Sequence, residues 1–190
     1  MSERRDTLQQ YVSDMLALER HILEAIERQV ADDRLSLHTQ ASTLITRIQG
    51  HLNAHITHLE QQLTTLGGEA TSPVKEAVVA VAGVAAGLYD KVRTDPVSKM
   101  LRDDYTALNL AAISYSMLHT TGLAFNDFAT ADLALRHLKD LTPCIVEINE
   151  IIPLVVAREI SDEGTLVDTS IAQDAVRNTQ AAWSQEVVQQ

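Results

Sequence analysis

Apolar residues recur along this chain at alternating spacings of three and four, the period of a helix face turned toward a core. In "YVSDMLALERHILEAIERQV", Val12, Leu16, Leu23, Ile26 and Val30 keep that spacing, and Glu19 completes the series. At 100° per residue the five lie within about 60° of the carboxylate's direction. A first helix is therefore expected over residues 5–31. A second, over residues 36–66, stops at Gly67-Gly68. Its stripe is Ala41, Ile45, Ile48, Leu52, His55, Leu59, Leu63 and Leu66, with His55 the one polar inward position. His51 and His58 lie on the edge of the stripe, one turn to either side. The link at Asp32-Asp33 is so short that the two helices must pack antiparallel.

After "GGEATSP" the run 74–89 is apolar most of the way round, which predicts a buried crossover helix leading to the second half of the chain. Asp95-Pro96 suits the N-cap and first position of a third helix that extends to Asn126. One of its seams is Leu101, Tyr105, Leu108, Ala112, Tyr115, His119 and Gly122; another is Leu110, Ile113, Met117 and Ala124. Two apolar faces imply contact from more than one side, and a homodimer is expected. A fourth helix over residues 130–160 has the seam Leu138, Leu141, Ile145, Ile148, Ile152 and Val155, with no ionisable group in it. Pro143 and Pro153 predict a kink, or a break at Thr142-Pro143. Residues 161–190 form a C-terminal tail that either docks as an amphipathic helix, through Ile171, Ala175, Ala182, Trp183 and Val187, or frays. The chain thus reads as all-α, two long-helix hairpins separated by a crossover in one domain over residues 1–160, followed by the tail.

Composition narrows the picture. Of 190 residues only 4% are aromatic, so Leu and small aliphatic side chains must make the core, which favours closely packed helices. A net charge of −11 argues against nucleic acid as a partner, because phosphate neutralisation needs clustered Lys and Arg. Cys144 is the single cysteine, which excludes an intrachain disulfide and a cysteine-rich metal site; it reads as a small buried apolar group. The most apolar stretch, "AVVAVAGVAAGLY", is too short to span a bilayer, and the polar N-terminal residues lack the apolar region of a signal peptide. No membrane span and a cytoplasmic location are expected.

The candidate chemistry centres on Glu19 and His55. One reading joins them to His51, His58 or Asp140 around a single Fe, Zn or Mn ion, since imidazole and carboxylate suit those metals. The other makes them a buried hydrogen-bonded pair without cofactor, Glu19 being satisfied by His55, Tyr105, Tyr115 or His119, because an unpaired buried carboxylate costs several kcal/mol. His21, His38 and His137 read as surface residues. The chain contains no G-x-S-x-G, P-loop, G-x-G-x-x-G or H-E-x-x-H pattern, so no hydrolase, kinase or dehydrogenase is indicated.

The order of two helices, a long connection and two more helices is similar to the ferritin-like superfamily, whose bundles have one crossover. The first helix resembles that of small bacterial ferritin-like proteins of the YciE/YciF type, and "HLNAHITHLEQQLTTLGG" resembles their second helix and that of bacterioferritin. "AAISYSMLHTTGLAFND" and "TADLALRHLKDL" are similar to the third and fourth. The resemblance implies a ferritin-like four-helix bundle in which Glu19 corresponds to the metal-binding carboxylate of the first helix and His55 to the histidine of the second. It is incomplete. A di-iron site takes Glu-x-x-His motifs from two helices, yet Leu52 precedes His55 by three residues, and the third helix offers Ala112, Tyr115 and His119 where a carboxylate belongs. Asp140, the nearest acid on the fourth helix, lies about 100° from Leu141 on the seam. The resemblance therefore implies a bundle without a complete ferroxidase site, not expected to be an enzyme and structural, stress-associated or partner-binding. The alternative is a metal-binding or metal-dependent redox protein using Glu19 and His55.

Overall fold

Caps and tight turns set several of the helix boundaries. In a computed structural model that describes residues 2–68, 96–162, 164, 168 and 170–183, these residues form α1 (Ser2–Val30), a 3-10 turn (Asp33–Leu37), α2 (Thr39–Thr65), α3 (Val97–Ala124), α4 (Phe128–Asp162) and α5 (Ile171–Trp183), with no strand among them. The predicted crossover helix over 74–89 and the last part of the tail lie outside the described residues. Asp32 caps the 3-10 turn by accepting from the Arg34 backbone N–H at 3.0 Å. Gly67, at φ +80°, ends α2, where the Gly68 N–H reaches back to the Leu63 carbonyl. That left-handed conformation suits glycine.

The four long helices share one apolar core. Their contacts give their directions. Gln9 of α1 meets the Leu66 carbonyl and Glu19 meets His55, so α1 and α2 are antiparallel. By the same test α1 and α3 are antiparallel, through Gln29–Asp104 and Glu19–Tyr115. So are α2 and α4, through Arg47–Glu147 and Gln62–Thr130, and α3 and α4, through Ser98–Glu159 and His119–Ala131. Hence α2 and α3 run in the same direction, and Thr65 and Val97 stand at opposite ends of the helix group.

The α2 stripe is buried as predicted, from Ala41 to Leu66. Elsewhere the match is partial. On α1 the predicted Val12, Leu16, Glu19 and Ile26 are buried, joined by Leu8, Met15 and Ile22, while Leu23 is at the flank and Val30 is exposed. On α4 the inward track is His137, Leu141, Cys144, Ile148, Ile151 and Val155; Leu138, Ile145 and Ile152 are partly buried beside it. The fourth helix does therefore carry an ionisable group on its buried face, against expectation. The two tracks share Leu141, Ile148 and Val155 and differ by one residue at the positions between, so only the neighbouring helices decide between them.

Nor does α4 break at Thr142-Pro143: it continues through both prolines. An interior proline costs about 3 kcal/mol, whereas burying Leu141, Ile148, Ile151 and Val155 contributes about 1.5–3 kcal/mol each. Tertiary burial outweighs the local penalty. The tail docks in part as a helix: α5 packs on α4, and the Trp183 ring meets the edge of Tyr105 at 6.2 Å. No helix among the described residues is long and apolar enough to cross a membrane.

The turn from α3 to α4 depends on a close approach. Asp127 caps α4 by accepting from the Thr130 N–H at 2.9 Å, and its own N–H returns to the Gly122 carbonyl. A Cβ on Gly122 would stand 2.7 Å from the Ala131 backbone nitrogen. Gly122→Ala is therefore expected to lower unfolding free energy in urea by about 1–3 kcal/mol, the range for overpacking, with helix content by circular dichroism retained. An unchanged midpoint would show that the two helices separate freely here.

Candidate metal centre

Glu19 is completely buried, on a face otherwise made of Leu, Ile, Val and Met. A carboxylate there loses its hydration, and burial pushes its pKa up despite the hydrogen bonds and positive charge of His55 and the hydroxyl of Tyr115. What it meets in exchange comes from each of the other long helices or through them. The Tyr115 hydroxyl of α3 donates to Glu19 Oε1 at 2.6 Å, and His55 Nδ1 of α2 lies 3.0 Å from the same oxygen. On α4, His137 Nδ1 is 2.9 Å from the Tyr115 oxygen, and the His137 ring stacks on His55 with centroids 3.8 Å apart. Glu19, His55, Tyr115 and His137 thus form one layer with one residue from each helix.

Donor counting assigns the protons. Tyr115 gives its hydrogen to Glu19, so its oxygen accepts from His137 Nδ1–H. The remaining His137 nitrogen then accepts from His58 Nδ1–H, 3.3 Å away. His55 faces carboxylates on both sides, with Asp140 Oδ2 3.1 Å from Nε2. Burial opposes its protonation, but the hydrogen bonds to and charges of Glu19 and Asp140 outweigh burial and raise its pKa. His55 therefore holds a proton more readily than a free imidazole does. Its stacked neighbour cannot also be charged: burial, then the positive charges of His55, His58 and Arg136, bring His137 down to about 2. Tyr115 is raised well above the usual phenol range by burial and by the Glu19 charge. A continuous hydrogen-bonded series results, from exposed His58 through His137, Tyr115, Glu19 and His55 to half-exposed Asp140.

Two overlapping groups bring possible ligand atoms within 4.8 Å of one another: Glu19, His55 and His137, all buried, and His51, His55 and Asp140 nearer the surface. Of the residues singled out in the sequence, Glu19, His55, His51, His58, Asp140 and Tyr115 therefore fall in one cluster. Tyr105 and His119 do not. Tyr105 packs on Trp183 instead, and His119 Nδ1–H donates to the Ala131 carbonyl at 2.8 Å. The one-residue phase error on α4 hid His137, which is 1% exposed and no surface residue. Its signal was available: His137 is one turn before Leu141 at the spacing of the true seam. His38 is also buried, at the start of α2, and His21 is half-buried, which corrects the remaining surface assignments. A second buried polar pair went unseen, Gln29 Nε2 donating to fully buried Asp104 at 2.8 Å. Cys144 is buried, and burial raises its thiol pKa, in line with an inert apolar role.

The neutral state of His137 has a consequence for the metal-free protein. The unfolded histidine takes up a proton near pH 6.5 while the folded one resists to about pH 2. Below pH 6.5 the unfolded chain thus binds more protons, and acid lowers stability by up to about 1.4 kcal/mol per pH unit through this group. His55 acts in the other window, because its raised pKa supplies stability below pH 6.5 that is lost as pH rises through the folded value. In chelator-treated protein, urea unfolding between pH 6.5 and 5 should show the acid-linked loss in the wild type and a flatter profile in His137→Asn. Equal slopes would refute the assignment. Comparison of the chain with protein-family models, with curated proteins and with solved structures yields no match.

Proposed function

We propose that this chain is a metal-binding four-helix bundle of the ferritin-like kind, holding one divalent transition-metal ion between Glu19, His55 and His137. One observation carries the reading. Glu19 Oε2 is buried without a hydrogen-bond partner, beside two imidazoles whose nitrogens come within 4.8 Å of the carboxylate and of each other. Leaving such an oxygen unsatisfied costs about 1–3 kcal/mol or more, and a cation among these three groups removes that cost. Two histidines and a carboxylate fit Fe, Zn or Mn. They do not fit a pair of ions, because Glu19 and Asp140 are the only carboxylates in the cluster among the described residues, too few to offset the repulsion of two divalent cations.

An ion held by these three residues would supply a Lewis acid. The chain's own residues orient it: Tyr115 holds Glu19 Oε1, and His58 holds the ring of His137. The apolar positions one turn away, Leu16, Ile22, Leu52, Leu59 and Leu141, keep water out. The ferritin-like part of the reading is supported by helix direction. The described α2 and α3 run in the same direction, with Thr65 and Val97 at opposite ends, the relation that the second and third helices have in a bundle with one crossover.

A homodimer belongs to the same proposal. Ile113 and Met117 on α3 are 60% and 51% exposed, and from Tyr105 to Asn126 the sequence contains no Asp, Glu, Lys or Arg. Two chains of charge −11 repel, so a self-complementary contact needs such an uncharged stripe.

Protein purified without chelator should contain about one transition-metal ion per chain by elemental analysis, as a single three-residue ligand set implies. Glu19→Gln and His137→Asn should each lose most of it while keeping their helical spectrum. Metal-free wild type, or metal retained by both variants, would overturn the reading and leave the layer as a structural hydrogen-bond network. For the dimer, Ile113→Glu should shift the sedimentation coefficient from dimer to monomer; a monomeric wild type at micromolar concentration would remove it.

A further inference from the structure

Among the described residues, His55 is the one side chain shared by the two groups of ligand atoms. Its Nδ1 faces Glu19 in the interior at 3.0 Å, and its Nε2 faces Asp140 at 3.1 Å from the other edge of the ring. An imidazole binds a cation through one nitrogen, while the other keeps its proton and donates to an orienting carboxylate. Each nitrogen of His55 has both roles open to it, because a carboxylate stands before each. With an ion on Nε2, the Nδ1–H donates to Glu19. With an ion on Nδ1, the Nε2–H donates to Asp140.

Access decides which position meets an ion first. Of Glu19, His55 and His137 none is more than 1% exposed, so an ion in solution reaches none of them directly. The Asp140 side chain is 46% exposed and His51 is half-buried. His51 and His55 are one turn apart on the same face of α2, with ring centroids 6.1 Å apart, and Asp140 closes the group from α4. Ligand atoms of all three lie within 4.8 Å of one another. On the far side of the layer, exposed His58 touches His137 at 3.3 Å, but among the described residues no carboxylate joins that pair in a ligand group. Charge also suits a cation here. Arg47, whose charge reaches His51, is paired with Glu147, and the chain as a whole carries −11.

We propose that His51, His55 and Asp140 form an outer site that takes a divalent transition-metal ion from solution and hands it inward through His55. Two imidazoles and a carboxylate suit Fe, Zn, Mn and Co. The hand-over changes no oxidation state: the bond to His55 Nε2 breaks, the bond to Nδ1 forms, and one proton goes from Nδ1 to Nε2. Glu19 Oε2 supplies the inward pull, since it is buried without a hydrogen-bond partner and gains a counter-charge when the ion arrives. Because they share one ring, the two sets hold one ion between them, not two. The hand-over rests on the reading of Glu19, His55 and His137 as a metal site; the outer site does not.

Cobalt(II) mixed with chelator-treated full-length protein in a stopped-flow instrument, and followed by visible absorption, tests this. The wild type should bind in two phases and end at about one ion per chain. The fast phase should speed up with cobalt concentration, and the slow phase should not depend on it. Glu19→Gln should keep the fast phase and lose the slow one. His51→Gln, a change outside the inner set, should still fill but load about tenfold more slowly, the lower end of what loss of one partner costs at a metal-binding histidine. Asp140→Asn should slow loading in the same way, and circular dichroism reports the fold of each variant. Loading of both at the wild-type rate would overturn the outer site and leave the inner one intact. A single fast phase, equal in the wild type and Glu19→Gln and absent from His51→Gln, would keep the outer site and overturn the hand-over together with the inner set. No cobalt bound by the wild type at millimolar concentration would overturn both.

Discussion

The arrangement of the four long helices depends on one requirement: a carboxylate placed in an apolar interior must be neutralised. Moving an ionised group out of water costs several kcal/mol even after relaxation, and proteins that retain one surround it with donors or opposite charge. Glu19 receives the Tyr115 hydroxyl and faces the His55 imidazole, and through Tyr115 it is linked to His137. Each helix contributes one member, so the polar layer fixes the rotation of all four about their axes. An apolar core tolerates small rotations, since Leu against Ile is nearly indifferent to register. A hydrogen-bonded layer does not.

The same layer distributes charge in a definite order. Glu19 and Asp140 flank His55, while His137 is held neutral by its stacked neighbour. Among the described residues the cluster holds two carboxylates, Glu19 and Asp140. That count distinguishes this interior from one built for a pair of metal ions.

The outer surfaces show a complementary division. An acidic chain keeps its ionic groups off one face of α3, leaving Ile113 and Met117 exposed without nearby charge along the helix. This feature runs against the average composition of the surface, and it is a local departure that whole-chain charge cannot reveal.

Much of this was legible in the residues alone. Periodicity set the number of long helices, the α2 stripe to the residue, and the pairing of Glu19 with His55, because a lone polar side chain in each of two apolar stripes on antiparallel helices has few other partners. The tail's docking, the continuity of α4 through Pro143 and the burial of His137 were decided by tertiary structure. In each case the local signal was ambiguous or adverse, and contacts from other helices outweighed it: two tracks on α4 shared Leu141, Ile148 and Val155, and aliphatic burial exceeded the proline penalty. One-dimensional spacing determines that a helix has an inward face. Which of two adjacent tracks faces inward is settled only when the neighbouring helices supply partners for the polar side chains.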